Sequence, residues 1–199
     1  MANSIFEKPG ILKESSSGYT HVKIEEELML TREIFVISPV DADTMSALFM
    51  QVLYLYREDP DKEITIYINS PGGEVQSGMA VVDLLGMIGT PVRTVCIGTA
   101  ASMGAMLFLA GDKREMMPSS RLMIHDPSLS GGSFDGKKPA EIEAELERLK
   151  ETQEMIGKMI AEKTGKSIEE VLKITARDTY FSPEEAIEFG LATGVVTKI

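Results

Sequence analysis

The chain has 199 residues, of which 43% are hydrophobic and 26% are charged, and its formal net charge is -11. This composition is that of one ordinary globular domain with a full core, not of a disordered chain. The acidic balance argues against bulk electrostatic affinity for nucleic acid or anionic membranes, and no apolar run approaches the roughly 20 residues of a spanning helix. The lone Cys96 cannot form an internal disulfide, which favours a reducing, cytoplasmic location.

Residues 1–20 are polar, contain three consecutive serines, and lack the apolar core of a secretory signal. We interpret them as a flexible arm or a removable leader, and residues 21–199 as a single domain. His21 adjoins this arm and is interpreted as a bystander.

Strand and helix signals alternate along the chain, which predicts an α/β fold. Asp41 or Asp43 caps the first predicted helix of this part of the chain. The predicted strands lie at residues 33–37, 64–69, 91–97, 115–117 and 121–125, and the predicted helices at about 41–56, 75–87 and from 102 onward.

A long charged helix is predicted over about residues 139–163. Its apolar positions recur about every 3.5 residues, with Gln153 at the one missing position, and this spacing is typical of lengthwise helix packing. The packing partner is either a second subunit or the helix's own domain. The apolar positions are Ile142, Leu146, Leu149, Ile156 and Ile160.

Two further helix starts are marked by capping boxes. One runs from Ser167 to Glu170, and the other runs from Ser182 to Glu185, with proline at the first helical position. Gly190 is predicted to end the last helix.

Ser102 lies among small residues, where an apolar strand gives way to an apolar helix. A helix start leaves unpaired N–H groups and a partial positive charge beside the hydroxyl, so a serine there can be a nucleophile if a base is near. The chain has two histidines, and His125 ends an apolar strand. The alternatives are a small serine at a tight packing site and a structural histidine.

The remaining parts of such a site are also present in the sequence. Gly73, in a Gly-Gly turn after a strand, and Met103 each offer a backbone N–H for an oxyanion. A carboxylate must orient the imidazole. Asp126 is poorly placed because successive strand side chains point to opposite faces, so Asp178 is the better candidate.

Four motifs in order and spacing resemble the ClpP family, the proteolytic subunits of the ATP-dependent Clp protease. The resemblance covers about residues 30–195. It implies a crotonase-like fold of repeated β-β-α units with a protruding handle helix over about residues 139–163. The motifs lie at residues 67–73, 100–105, 121–125 and 182–191.

The resemblance also implies a function and assigns residues to it. Ser102 corresponds to the nucleophile, His125 to the base and Asp178 to the third triad member, with Gly73 and Met103 as the oxyanion-hole amides. Two stacked heptameric rings form a tetradecamer with a closed chamber. An AAA+ unfoldase such as ClpX, ClpA or ClpC uses ATP and feeds in unfolded polypeptides, and this chain needs no cofactor or metal.

Asp126 and Ala176 depart from the residues usual in this family. We hypothesise that Asp126 pairs with Arg177 across the ring interface. A catalytically quiet subunit, active only with a ClpP paralogue, is the main alternative function. An acyl-CoA hydratase or isomerase on the same scaffold is a weaker alternative.

Two other signals carry little weight. Residues 131–137 approach a phosphate-binding G-x-x-x-x-G-K pattern but lack its Ser or Thr. Cys96 lies within an apolar strand and is interpreted as a small buried hydrophobe.

Overall fold

The structure is a computed structural model that describes residues 10–16, 18–129 and 136–198. It contains a two-stranded hairpin and a larger, mostly parallel sheet with helices packed on it. The elements in chain order are β1 (Gly10–Ser15), β2 (Gly18–Lys23), α1 (Ile24–Leu30), β3 (Glu33–Val36), α2 (Ala42–Glu58), β4 (Ile64–Ser70), α3 (Val75–Met87), β5 (Val92–Ala101), α4 (Met103–Leu109), β6 (Lys113–Met116), β7 (Arg121–Ile124), α5 (Pro139–Thr164), α6 (Ile168–Thr175), β8 (Thr179–Phe181), α7 (Pro183–Phe189) and β9 (Gly194–Val195).

The larger sheet runs β3-β4-β5-β6-β9, with β7 also paired to β5 and β8 paired to β7. Every pairing in it is parallel except that of β7 with β8. Strand β5 is central, because its first half pairs with β6 and its last residues pair with β7. The predicted α/β fold class is confirmed.

The change of partner along β5 coincides with an irregularity in its pairing with β4. Ile68 pairs with Cys96, whereas Ser70 pairs with Ala100, so one residue of β4 lies opposite three of β5. Strand β5 therefore continues through Ala101, beyond the end predicted at residue 97, because the bulge carries it on toward β7.

Local hydrogen bonds explain where several helices begin and end. The Asp41 carboxylate accepts the Thr44 N–H at 2.8 Å, which confirms Asp41 as the cap of α2. The predicted capping box at Ser182 is present, and Gly190 ends α7 in the left-handed conformation. At Ser167 the hydroxyl accepts the Glu170 N–H. The Glu170 carboxylate instead lies 3.2 Å from Lys166, so the box predicted there is only half formed.

The hairpin β1–β2 and helix α1 were not predicted. The hairpin crosses the proposed arm boundary at residue 20, and most of its described side chains are exposed. No buried face therefore produced an alternating pattern in the sequence. Helix α1 has three glutamates in its first turn, where they favour the helix dipole. Flexibility or removal of residues 1–20 stays a prediction.

The long helix predicted over about residues 139–163 is confirmed as α5, and it divides into two parts. Its C-terminal part packs on its own domain through buried Ile156 and Ile160. Gly157 lies so close to α6 that an added Cβ would be 3.2 Å from Leu172. Leu146, in the N-terminal part, is 48% exposed. Among the described helices, none combines the length and apolar character needed to cross a membrane.

Candidate active site

Strand register brings the candidate residues together at one edge of the sheet. Parallel strands β4, β5 and β7 end there, through the pairs Ser70 with Ala100 and Ala101 with Met123. Strand β8 runs antiparallel to β7 and pairs Ile124 with Thr179. The segments that follow β4, β5 and β7, and the residue that precedes β8, are therefore neighbours.

Ser102 has a backbone conformation that is rare for a residue with a side chain. Its φ is 53° and its ψ is -122°, which is strained for any residue except glycine. Its N–H donates to the Met123 carbonyl at 3.0 Å, and its own carbonyl accepts the Ala105 N–H at 2.9 Å. These bonds hold a sharp strand-to-helix turn of the kind that exposes a nucleophile.

His125 and Asp178 lie side by side at the end of β7 and the start of β8. Their Nδ1 and Oδ1 atoms are 3.4 Å apart, and the side chains are 24% and 64% exposed. A carboxylate at Nδ1 favours the proton on that nitrogen and leaves Nε2 as the basic atom. The structure thus brings together the two residues that the sequence analysis paired.

Ser102 and His125 line the same small cavity, of about 20 Å³. Within the described residues, the Ser102 hydroxyl and His125 are not joined by a hydrogen bond. Such bonds are often long in enzymes without substrate and tighten in the complex. The other residues lining the cavity are apolar: Val75, Met103, Met106, Pro127 and Ile156.

The Gly72-Gly73 turn after β4 packs tightly against the strand-to-helix turn at Ser102. A Cβ added to Gly72, whose φ is 88°, would lie 2.5 Å from the Ala101 carbonyl oxygen and 2.8 Å from the Met103 nitrogen. A Cβ added to Gly73 would lie 2.1 Å from the Val40 carbonyl oxygen. Only glycine fits at either position.

The turn is also fixed by backbone bonds to the segment before α2. The Val40 N–H donates to the Gly72 carbonyl at 2.9 Å, and the Glu74 N–H donates to the Val40 carbonyl at 2.8 Å. Among the described groups, the N–H groups of Gly73 and Met103 donate to no acceptor. Both are therefore available to a ligand in the manner expected of an oxyanion hole.

Asp126 makes its side-chain hydrogen bonds to two distant segments of the chain. Its carboxylate accepts the Thr175 hydroxyl at 2.5 Å and the Gln153 amide at 2.6 Å. Arg177 is exposed. The proposed pairing of Asp126 with Arg177 involves two rings and stays a prediction.

Sequence reasoning missed the roles of Asn69, Gln153 and Thr175. Gln153 carried a signal, since it interrupts the apolar spacing of α5. Asn69 lies in a recognised motif, but the hydrogen bond that its side-chain oxygen accepts from the Thr99 N–H depends on the bulge in β5. Thr175 gave no signal, because its contact with Asp126 spans two distant segments.

The structure also bears on the remaining candidates for a nucleophile, a base, a metal site and a phosphate-binding loop. Cys96 is buried, and burial raises the pKa of its thiol, which disfavours the reactive thiolate. His21 lies on the exposed strand β2. In the part of the chain that is described, no three His, Cys, Asp or Glu residues are grouped to hold a metal. Of the residues 131–137 in the G-x-x-x-x-G-K pattern, residues 131–135 lie outside the described residues.

Comparison with known families agrees with this architecture. A family model described as Clp protease matches residues 16–199. The chain therefore belongs to the Clp protease family. It has the ClpP-type α/β fold of a protease, and the family in general forms oligomers that work with Clp ATPases.

Proposed function

We propose that this chain is a serine endopeptidase that uses Ser102, His125 and Asp178. The observation that carries the proposal is the shared cavity of Ser102 and His125, with Asp178 at Nδ1 and two available amides nearby. In the first step, His125 Nε2 takes the hydroxyl proton while Ser102 Oγ attacks the scissile carbonyl carbon.

The carbonyl oxygen becomes an oxyanion, which the N–H groups of Gly73 and Met103 stabilise. The imidazolium, held by Asp178, then gives its proton to the leaving amine as the C–N bond breaks. This leaves an acyl-enzyme on Ser102. Water, deprotonated by His125, attacks the ester, and the proton returns to Ser102 as the acid product leaves.

The residues around Ser102 and His125 support a preference for apolar substrate side chains. The cavity of about 20 Å³ has room for about one water molecule and not for a substrate side chain. Its other lining residues are apolar, so they offer no ion pair to a charged side chain placed beside them. We expect broad cleavage after or near apolar residues, measurable with a library of fluorogenic peptides.

Family membership supports assembly into two heptameric rings, a tetradecamer that encloses the active sites. Folded proteins would then be poor substrates until an AAA+ unfoldase such as ClpX, ClpA or ClpC threads them in, with ATP used by the unfoldase. Cytoplasmic location is part of this proposal and rests on the single buried cysteine.

The test is Ser102→Ala, which we expect to abolish hydrolysis of a small fluorogenic peptide while assembly persists. Ser77→Ala is the matched control, because Ser77 bonds Glu74 at the start of α3 and does not line the cavity. A fluorophosphonate should label the wild type and Ser77→Ala at Ser102, but not Ser102→Ala. Near wild-type hydrolysis by Ser102→Ala would overturn the assignment, and absence of labelling would favour the acyl-CoA alternative.

One observation favours the second candidate, a subunit active only with a ClpP paralogue. In the part of the chain that the structure describes, Ser102 and His125 are not hydrogen-bonded to each other, and Asp178 is 64% exposed. Native mass measurement of the purified chain beside the peptidase assay separates the two. A full tetradecamer without Ser102-dependent hydrolysis would support the paralogue-dependent role, and an active homo-oligomer would exclude it.

A further inference from the structure

Asp126 lies between two distant parts of the fold and contacts both. Its Oδ1 atom accepts the Thr175 hydroxyl at 2.5 Å, and its Oδ2 atom accepts the Gln153 side-chain amide at 2.6 Å. Its own N–H donates to the Thr175 carbonyl at 2.7 Å. Thr175 is 2% exposed and Asp126 is half-buried, so the pairing is partly shielded from water. Charge-assisted bonds of this length are the stronger kind.

Two of the residues that make these contacts lie close in sequence to His125 and to Asp178. Asp126 follows His125, and Thr175 precedes Asp178 by three residues at the end of α6. The turn between α6 and β8 is closed by the Thr179 hydroxyl, which donates to the Ile174 carbonyl at 2.9 Å. Strand pairing then joins Thr179 back to Ile124.

The result is a closed loop of contacts around the histidine and its carboxylate. On one side the strand pair Ile124 with Thr179 fixes the spacing of β7 and β8. On the other side Asp126 and Thr175 fix the spacing of β7 and α6. Asp178 itself is exposed and has little packing to hold it. Its position therefore depends on this closed loop of contacts, which we call the frame.

We propose that Asp126 and Thr175 are positioning residues that set the distance between His125 and Asp178, and that Gln153 connects them to the handle helix α5. This rests on the proposed peptidase function. Neither Asp126 nor Thr175 lines the cavity of Ser102. They act through the orientation of the imidazole, so their loss lowers kcat and leaves substrate binding largely unchanged.

The intrachain positioning role and an ion pair across rings need different chemical groups at residue 126. The intrachain frame needs an acceptor for the Thr175 hydroxyl, which an asparagine also supplies, with the Gln153 amide flipped to accept from it. An inter-ring ion pair with Arg177 needs the negative charge. Asp126→Asn therefore separates the two roles.

Two pairs of variants test the frame in the assembled full-length protein. Thr175→Val removes the hydroxyl at constant shape, and Thr175→Ser restores it. Asp126→Ala removes the acceptors, and Asp126→Asn restores one. We expect Thr175→Val and Asp126→Ala to lose about tenfold in kcat with KM within about twofold, and the Ser and Asn variants to stay within about threefold of wild type.

Wild-type kcat in a folded Thr175→Val protein would overturn the proposal, as would equal losses in Thr175→Val and Thr175→Ser. Loss of assembly in Asp126→Asn, by native mass, would assign the carboxylate to the ring interface instead. The Ser102→Ala comparison separately decides the peptidase function. If the chain proves inactive alone, isotope-labelled histidine gives the readout, because only His21 and His125 are present. The His125 signal should move in Thr175→Val and return in Thr175→Ser, and an unmoved signal would overturn the proposal.

Discussion

The Asn69 side-chain oxygen accepts a hydrogen bond from the Thr99 backbone N–H at 2.9 Å. This bond lies at the bulge where β5 leaves β6 and joins β7, three residues before the candidate nucleophile. An added Cβ on Gly98 would lie 2.6 Å from the same oxygen, so the two residues are closely packed. A side chain thus replaces a backbone partner at the point where the strand changes course.

Asn69→Ala is expected to lower both stability and activity. The Thr99 N–H loses its acceptor, at a cost of about 1 kcal/mol, and the bulge that sets the direction of the serine turn is loosened. Thermal unfolding and peptide hydrolysis measure the two effects. Asn69→Asp keeps an acceptor and is the control. An Ala variant as active as wild type would show that β7 pairing alone holds the turn.

Gly72→Ala is expected to abolish peptide hydrolysis. Its φ of 88° and the 2.5 Å contact of the added Cβ with the Ala101 carbonyl oxygen leave no room for a methyl group beside Ser102. Gly86→Ala is the control, because nothing lies within 4 Å of an added Cβ in that part of α3. There the substitution should stabilise the helix by up to about 1 kcal/mol. Retained activity in Gly72→Ala would mean that the turn can move away from the serine.

Glu115 should make stability depend on pH. Burial raises the pKa of this carboxyl, but the hydrogen bonds and charges of Arg93 and Lys113 outweigh burial and lower the pKa below its ordinary 4.5. The Glu115 carboxylate lies 2.6 Å from Arg93 Nε, and the side chains of Arg93 and Glu115 are only 16% and 13% exposed. Its stabilisation is therefore full above pH 4.5 and is lost as the pH falls through the lower folded-state pKa.

Glu115→Gln should thus unfold at a lower temperature than wild type at pH 7, with the difference shrinking in more acidic buffer. Glu154→Gln is the matched control, since its pair with Lys158 is exposed and contributes little in water. A difference in unfolding temperature that stays constant with pH would contradict the ion-pair explanation.

Leu146→Asp should change assembly and leave the fold of the protomer intact. The side chain is 48% exposed in the isolated chain, and the proposed ring contact would cover it. Native mass should fall below that of the tetradecamer, with the circular dichroism spectrum unchanged. Glu147→Gln, at an exposed neighbouring position, is the control. A full-size assembly of Leu146→Asp would place the interface elsewhere.

Much of the candidate site could be predicted because its residues follow strand ends. The apolar runs before Ser102 and His125 mark two strands, and strand ends of a parallel sheet meet at one edge. The conformation of Ser102 could not be predicted, because it is set by a hydrogen bond to Met123 in another strand. The partners of Asp126 were equally hidden, since α5 and α6 approach β7 only after packing.

The elements of the fold that depend on local signals could likewise be predicted from the sequence. Helix caps such as Asp41 and Ser182 are local signals and gave correct helix starts. The bulge in β5 and the hairpin β1–β2 depend on register between strands, which a single strand's sequence does not encode. The handle helix was correctly placed, although its division into a docked and an uncovered part emerged only from packing.

The positive φ of Ser102 lowers the stability of the fold at the same residue that supplies the proposed nucleophile. The backbone there costs on the order of 1–3 kcal/mol for any residue with a side chain, whereas glycine adopts such angles without that cost. A Ser102→Gly protein is therefore expected to melt at a higher temperature than the wild type while it cuts no peptide. Selection for a high free energy of unfolding alone would favour glycine at this position. The serine hydroxyl is therefore retained at a cost in stability.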